Sequence, residues 1–137
     1  VEGEPTVDGQ LWHVRDQIAT NLKPSGGAHA PVAAGGLVFF LATESACGFF
    51  CGGSGLWRSD GTPEGTYALS IAGGTAYTPG NLTAFGDGIL FSAVQSTTGT
   101  ELWRSDGTSE GTVLVLDVTA TKSSFPALIG ALEDRLY

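Results

Sequence analysis

The chain has 137 residues, 21 glycines and a formal net charge of −8 at pH 7, which fits one modest domain or a run of small repeats. Hydrophobic residues make up 42% of it, enough to exclude an intrinsically disordered chain, and charged residues only 15%, a profile typical of short strands joined by tight turns. The acidic excess opposes binding to nucleic acid or anionic lipid, because both depend on Lys and Arg, whereas a cation or a neutral sugar meets no such barrier.

The sequence begins at Val1, without a Met and without a basic and apolar leader. Such a start is typical of a processed secreted protein or of an excised segment. The longest apolar stretch runs from Pro31 to Ala42 and includes two glycines. It is shorter than the roughly 20 residues that a membrane-spanning helix needs, so we expect no insertion into a membrane.

Cys47 and Cys51 are close enough in sequence for a hairpin tip or small loop to close on itself, and the sequence favours a disulfide between them. A thioredoxin-type redox pair is a poorer fit, because it has two intervening residues where this pair has three, and no βαβ pattern surrounds it. A zinc site would need His13 and His29 as ligands beside the two cysteines, and neither histidine has the spacing of a zinc finger.

Phe49 and Phe50 occupy the predicted tip of this loop, where polar residues are usual. Exposed on a rigid loop, the two rings would make a contact anchor for a partner. Folded back, the same rings would be buried, and the sequence leaves both interpretations open.

An internal repeat organises the rest of the chain. Residues 56–66 read Leu-Trp-Arg-Ser-Asp-Gly-Thr-Pro-Glu-Gly-Thr, and residues 102–112 repeat them with only Pro63 changed to Ser109. Ten matches in eleven positions exclude chance similarity, and a degenerate third copy around Trp12 precedes them.

The repeat divides the chain into three units. Trp12, Trp57 and Trp103 recur at intervals of 45 and 46 residues, and the span from Trp103 through the end and from the start to Trp12 makes another 46. This cyclic register predicts a head-to-tail homo-oligomer or a segment of a longer repeat array. The units are a degenerate first repeat in 1–54, whose N-terminal segment could complete a strand of the last repeat, a second repeat in 55–100 and a truncated third in 101–137.

Each repeat predicts four short strands, and four strands in about 45 residues is the pattern of a β-propeller blade. The predicted fold is therefore all-β, with about three four-stranded blades. The predicted turns are Asp87-Gly88, a two-residue hairpin signal, and Asp60-Gly61 and Asp106-Gly107, which open longer hairpins.

The segment from Glu101 to Thr108, followed by Gly111 and Thr112, resembles the ELWxxDGT repeat of large secreted or surface proteins of bacteria, particularly myxobacteria. The second repeat departs from that pattern in having Gly55 in place of the glutamate. The resemblance implies a β-propeller and an extracellular or cell-surface address, and little about a ligand. The Ser-Asp-Gly-Thr core is also similar to the Asp-box hairpins of sialidase-like propellers, in which the aspartate caps its own turn.

The repeated aromatic and basic side chains are the candidate ligand contacts. Trp12, Trp57 and Trp103 could stack on sugar rings, and Arg58 and Arg104 could donate hydrogen bonds to a ligand. Packing between blades is the simpler explanation of the tryptophans, and pairing with a neighbouring acid is the simpler explanation of the arginines. Glycan binding predicts exposed aromatics in concave clefts, whereas assembly alone predicts buried tryptophans.

Asp60 and Asp106 precede glycine in the repeated turn, where a carboxylate can accept backbone N–H groups and hold the turn's shape. Their alternative role is calcium binding, since Ca²⁺ prefers carboxylate and carbonyl oxygens, although the Asp-x-Asp-x-Asp spacing of an EF-hand is missing. Calcium is the one cofactor that the sequence suggests.

Catalysis finds little support in the sequence. Residues 107–111 match a nucleophile-elbow pattern, but they lie in a predicted hairpin, and Pro63 replaces the nucleophile in the other copy. The chain has two histidines, so few residues could serve as the base of a Ser-His-Asp triad. The remaining enzyme alternative is a sialidase-like glycoside hydrolase, which would need two carboxylates across a pocket.

The sequence therefore predicts an extracellular, non-catalytic binding or adhesion module that recognises a polysaccharide or a surface glycan. The alternative is a structural repeat protein that assembles with itself into a ring, sheath or filament.

Overall fold

The part of the chain that the structure describes contains twelve β-strands: β1 (Trp12–Arg15), β2 (Ile18–Asn21), β3 (His29–Ala34), β4 (Leu37–Ala42), β5 (Gly55–Ser59), β6 (Tyr67–Ala68), β7 (Gly80–Phe85), β8 (Gly88–Gln95), β9 (Gly99–Ser105), β10 (Val113–Leu116), β11 (Ala131–Leu132) and β12 (Arg135–Leu136). The computed structural model describes residues 12–15, 18–22, 27–43, 55–70, 78–95, 99–116, 131–132 and 135–136. None of these residues is helical, and the prediction of an all-β fold is confirmed.

Eight of these strands form two four-stranded antiparallel sheets. Sheet I has the order β3-β4-β5-β6, and sheet II has the order β10-β9-β8-β7. Consecutive strands are neighbours in both sheets, so each sheet is an antiparallel meander. The strands β1 and β2 form a separate two-stranded hairpin, the N hairpin, and β11 and β12 form another, the C hairpin. The sheets close into no barrel or ring within the described ranges, so the β-propeller itself stays a prediction.

The two sheets repeat one strand register. Phe40 pairs with Trp57 in sheet I as Phe91 pairs with Trp103 in sheet II. Sheet I takes β3 and β4 from the first sequence repeat and β5 and β6 from the second, because the boundary between those repeats falls before β5. Sheets and sequence repeats are therefore out of phase by two strands.

The turn between β7 and β8 lies one residue earlier than the sequence predicts. Phe85 pairs with Gly88, so the two turn residues are Gly86 and Asp87 rather than Asp87 and Gly88. Gly86 has φ +58°, the positive value that the first central position of a type II′ turn needs. Gly88 lacks a side chain for a different reason, since a Cβ there would overlap the backbone carbonyl oxygen of Ser105.

The two faces of each sheet differ in composition, because side chains alternate along a strand. The tryptophan face consists of Phe40, Ala42 and Trp57 in sheet I and of Phe91, Ala93 and Trp103 in sheet II. The opposite, leucine face consists of Phe39, Leu41 and Leu56 in sheet I and of Leu90, Ser92 and Leu102 in sheet II.

The sheets stack front to back. The leucine face of sheet I shares one buried cluster with the tryptophan face of sheet II. The tryptophan face of sheet I belongs to a separate cluster on the other side of that sheet. Because the two faces that meet are different, the same kind of contact can be repeated by further sheets.

The first strand of each sheet carries a left-handed residue at the same place. The strand register shifts at this point in both β3 and β7, and the residues there are Ala30, with φ +52°, and Asn81, with φ +53°. Asparagine tolerates a positive φ, whereas alanine is strained by it. The amide Nδ2 of Asn81 also donates a hydrogen bond to Ser92 Oγ at 3.1 Å.

Replacing Ala30 with glycine is expected to raise the free energy of unfolding by about 0.5–1 kcal/mol. The change relieves left-handed strain of about 1–2 kcal/mol. Part of this gain is offset, because glycine raises the backbone entropy of the unfolded chain. Asn81→Gly is the matched control, and it should be neutral or destabilising because it also removes a hydrogen bond. Urea unfolding of both variants measures the difference, and a loss of stability in Ala30→Gly would contradict the strain.

Candidate functional site

The repeated motif folds into a turn that satisfies its own donors. Asp60 Oδ1 accepts hydrogen bonds from the backbone N–H of Thr62 at 2.9 Å and from its hydroxyl at 2.7 Å. Thr62 Oγ1 in turn accepts a hydrogen bond from the N–H of Gly65 at 3.0 Å. In the second copy Asp106 accepts the same two bonds from Thr108, at 2.9 and 2.7 Å. Both aspartates therefore act on their own turns.

A buried hydroxyl pair ties the two ends of the turn together. The hydroxyl of Thr66 donates to the carbonyl of Thr62 at 2.6 Å, which uses its one proton. Ser59 Oγ must then be the donor in its 2.7 Å contact with Thr66 Oγ1, and it accepts the N–H of Gly61 at 3.1 Å. The second copy has the same arrangement, with 2.8 Å between the two hydroxyl oxygens.

Each turn needs two glycines, for different reasons. Gly61 and Gly107 both have φ +92°, a conformation that favours glycine. At Gly65 and Gly111 a Cβ would overlap the carboxylate of the turn's own aspartate. A side chain at either position would therefore displace the carboxylate and break its hydrogen bonds.

These hydrogen bonds change the acidity of the aspartates. The bonds from the Thr62 side chain and then from its backbone hold the pKa of Asp60 below its ordinary value, and the charge of Arg58 adds a smaller effect in the same direction. Thr108 lowers the pKa of Asp106 in the same way.

We expect the stability of the protein to fall as the pH falls through these lowered pKa values. A carboxyl whose pKa is lower in the folded state stabilises the fold fully above the unfolded-state value of about 3.9, and this contribution is lost as the pH falls through the folded-state value. Asp60→Asn and Asp106→Asn should therefore be less stable than the wild type at neutral pH and approach it in acid. Denaturant midpoints between about pH 7 and pH 2 measure the convergence.

Glu64→Gln is the control for that experiment, because it removes one negative charge from an exposed position in the same turn. It should lower the midpoint little at any pH. A difference between Asp106→Asn and the wild type that stays constant down to acid pH would contradict the role of the ionised carboxylate.

Arg58 lies at the junction between the sheets. Its guanidinium carbon lies over the ring of Tyr67, 4.4 Å from the centroid, and its Cδ lies 3.6 Å from where a Cβ of Gly107 would stand. Arg104, at the same place in sheet II, is exposed, and Val113 stands where sheet I has Tyr67. Of the two arginines, Arg104 is the one with its side chain open to a ligand.

The tryptophans of the two sheets are buried. Trp57 is 6% exposed and Trp103 is 3% exposed. Trp57 stacks on Phe40 with 6.2 Å between ring centroids and 26° between ring planes. Neither indole therefore presents a free face to a sugar. Trp12 lies in β1, where it pairs with Asn21.

Four of the predicted site residues, Cys47, Phe49, Phe50 and Cys51, lie outside the described residues. The disulfide and the contact anchor therefore stay predictions.

A groove of about 440 Å³ lies beside the second turn, on the leucine-face side of sheet II. Its lining includes Gly88, Leu90, Arg104, Asp106 and Val115. The groove is not predictable from the sequence, although Arg104, Asp106 and Gly88 are each among the predicted site and turn residues.

In the described ranges, no group of three or more His, Cys, Asp or Glu side chains could hold a metal ion, and calcium at Asp60 or Asp106 stays a prediction. The same ranges contain no helix long and apolar enough to cross a membrane. Comparisons of the chain with protein-family models, with curated proteins and with solved structures find no match.

Proposed function

We propose that this chain is a non-catalytic repeat module of the β-propeller type that acts outside the cell and assembles by stacking its sheets with further sheets of the same kind. The observation that carries the proposal is the front-to-back junction, in which the leucine face of one sheet is covered by the tryptophan face of the next. The interacting faces are different, so each added sheet presents a new leucine face. The resemblance to secreted repeat proteins supports the extracellular address and the propeller.

The burial of Trp57 and Trp103 favours assembly over glycan stacking. A tryptophan that binds sugar exposes one face of its ring, whereas both of these are at least nine-tenths buried. Arg58 supports the same conclusion, since it packs on Tyr67 and borders the turn of the next sheet.

Light scattering of the purified chain over about a hundredfold range of concentration tests the proposal, with calcium and with a chelator. We expect a discrete oligomer at the upper concentrations and a ring-shaped particle in electron micrographs. A difference in mass between the two buffers would show that calcium affects the assembly. A well-folded monomer at every concentration would contradict the proposal.

Glycan recognition is the second candidate, and the groove beside Arg104 favours it. Arg104 and Asp106 supply charged groups in the same groove as the exposed apolar side chain of Val115, a combination that ligand sites commonly use. A glycan array should then give binding by the wild type that Arg104→Ala loses and Glu110→Ala, an exposed change in the same turn, keeps. An array without signal would contradict this candidate.

A further inference from the structure

The N hairpin stands where the last two strands of a preceding sheet would stand. Ring atoms of His13 in β1 lie 3.7 to 3.8 Å from where a Cβ of Gly61 would be. Arg58 in β5 has the equivalent relation to Gly107, with its Cδ at 3.6 Å. His13 and Arg58 each directly follow the repeated tryptophan. The N hairpin is therefore related to sheet I as β5 and β6 are related to sheet II.

The C hairpin stands where the first two strands of a following sheet would stand. β11 contacts β7 as β7 contacts β3. Leu136 of β12 follows Leu90 of β8 by the repeat interval of 46 residues. The C hairpin is therefore related to sheet II as β7 and β8 are related to sheet I.

The two hairpins are thus complementary halves of one sheet. In both complete sheets the second strand pairs antiparallel with the third, β4 with β5 and β8 with β9. In the described part of the chain β12 is hydrogen-bonded to β11 alone, and β1 to β2 alone. Among the described strands, β1 and β12 each have one edge without a strand partner, and such an edge can pair with another strand. In repeat order the two hairpins lie on opposite sides of the two complete sheets.

We infer that the N hairpin of a second copy of this chain docks against sheet II and pairs its β1 with β12 of the first copy, an inference that rests on the proposed function. The shared sheet then contains β11 and β12 from one copy and β1 and β2 from the other. Transferring the pairing of Leu90 with Arg104 to this sheet places Leu136 opposite His13. Counting the described strands alone, two copies joined in this way at both ends have two whole sheets each and two shared ones, six in all, within the range of about four to eight blades found in propellers.

The groove beside Arg104 is the surface that the docked hairpin would cover. At the junction between sheets I and II, the side chains of Leu37, Phe39 and Arg58 surround Gly107. The strand register makes Gly88, Leu90 and Arg104 their counterparts in sheet II, and all three line the groove. The groove therefore lies on sheet II at the counterpart of the contact that sheet I makes around Gly107.

The groove has a smaller residue at one position than the junction around Gly107. Gly88 replaces Leu37 at the point where a turn approaches, which leaves more space than the junction around Gly107 has. Val115, at the rim, is 44% exposed and would be covered by the hairpin.

Substitution in the groove tests the docking surface. Val115→Asp places a carboxylate where the hairpin would lie, and we expect it to weaken association at least about tenfold, because burial of an unpaired charge opposes binding. Val94→Asp is the matched control, since Val94 is 40% exposed on the same sheet and lies outside the groove. It should leave the oligomer unchanged. Light scattering measures both variants, and circular dichroism checks that each remains folded.

Intermolecular cross-linking tests the strand pairing directly. Two populations are prepared in a background in which Cys47 and Cys51 are replaced by serine, one with His13→Cys and one with Leu136→Cys. Directly opposite residues in antiparallel strands are close enough for a disulfide, so the mixture should form a cross-linked pair under mild oxidation. Thr20→Cys replaces His13→Cys in the control, because Thr20 lies in β2, one strand further from the open edge.

The outcomes separate the two proposals. An oligomer that Val115→Asp weakens and that forms the cross-link supports the docking of the hairpin. An oligomer that is insensitive to Val115→Asp and forms no cross-link overturns this inference and leaves the stacking function standing. A folded, monomeric wild type overturns both.

Discussion

Replacing Trp103 with alanine is expected to lower the free energy of unfolding by about 3–5 kcal/mol, the usual loss for truncating a buried aromatic. Trp103 is 3% exposed and shares its cluster with Phe39 and Leu56 across the junction between the sheets. The alanine variant therefore leaves a cavity at the point where the two sheets meet. Because single domains are stable by only about 5–15 kcal/mol, this loss should shift the denaturant midpoint far below that of the wild type.

Trp103→Phe separates packing from ligand binding. The indole N–H of Trp103 is buried without a hydrogen-bond acceptor in the described part of the chain, so phenylalanine loses ring volume but no hydrogen bond. We expect it to recover most of the stability that alanine loses. Equilibrium unfolding in guanidinium measures both variants against Tyr67→Ala, a change at a side chain that is 38% exposed. A Trp103→Ala protein with wild-type stability and a lost ligand would contradict the packing role.

The turn could be predicted from the sequence because its structure is local. Asp60, Thr62 and Gly65 lie within six residues, and the hydrogen bonds that join them involve only their own turn. The hydrogen-bonded pair of Ser59 and Thr66 was not among the predictions, although both residues recur unchanged in the second copy. An identical hydroxyl pair at a spacing of seven residues was the signal that could have identified it.

The junction could not be predicted from the sequence because its contacts join distant residues. Periodicity gives the alternation of faces along β4 and β8, but it does not say which face of one sheet meets which face of the next. The turn at Gly86 and Asp87 shows the same limit on a smaller scale. The overlap that a side chain at Gly88 would make with Ser105 appears only when β8 and β9 are paired, so the sequence assigned that glycine to the turn.

Gly35→Ala is expected to lower the free energy of unfolding by about 2–5 kcal/mol. Gly35 has φ +57°, so alanine there carries left-handed strain of about 1–2 kcal/mol. A Cβ at this position would also overlap the backbone carbonyl oxygen of Asp87, where the turn of sheet I meets the turn of sheet II. A backbone atom cannot rotate away as a side chain can, so the two sheets must move apart, at a further cost of about 1–3 kcal/mol.

The neighbouring glycine supplies the control, because Gly36 has φ +76° and a Cβ there would meet nothing within 4 Å. Gly36→Ala should therefore show the strain alone, and the difference between the two variants measures the close approach of the sheets. Guanidinium unfolding gives that difference directly. Equal losses in the two variants would mean that the turns do not touch in solution, and the front-to-back junction on which both proposals rest would then lose its support at this end.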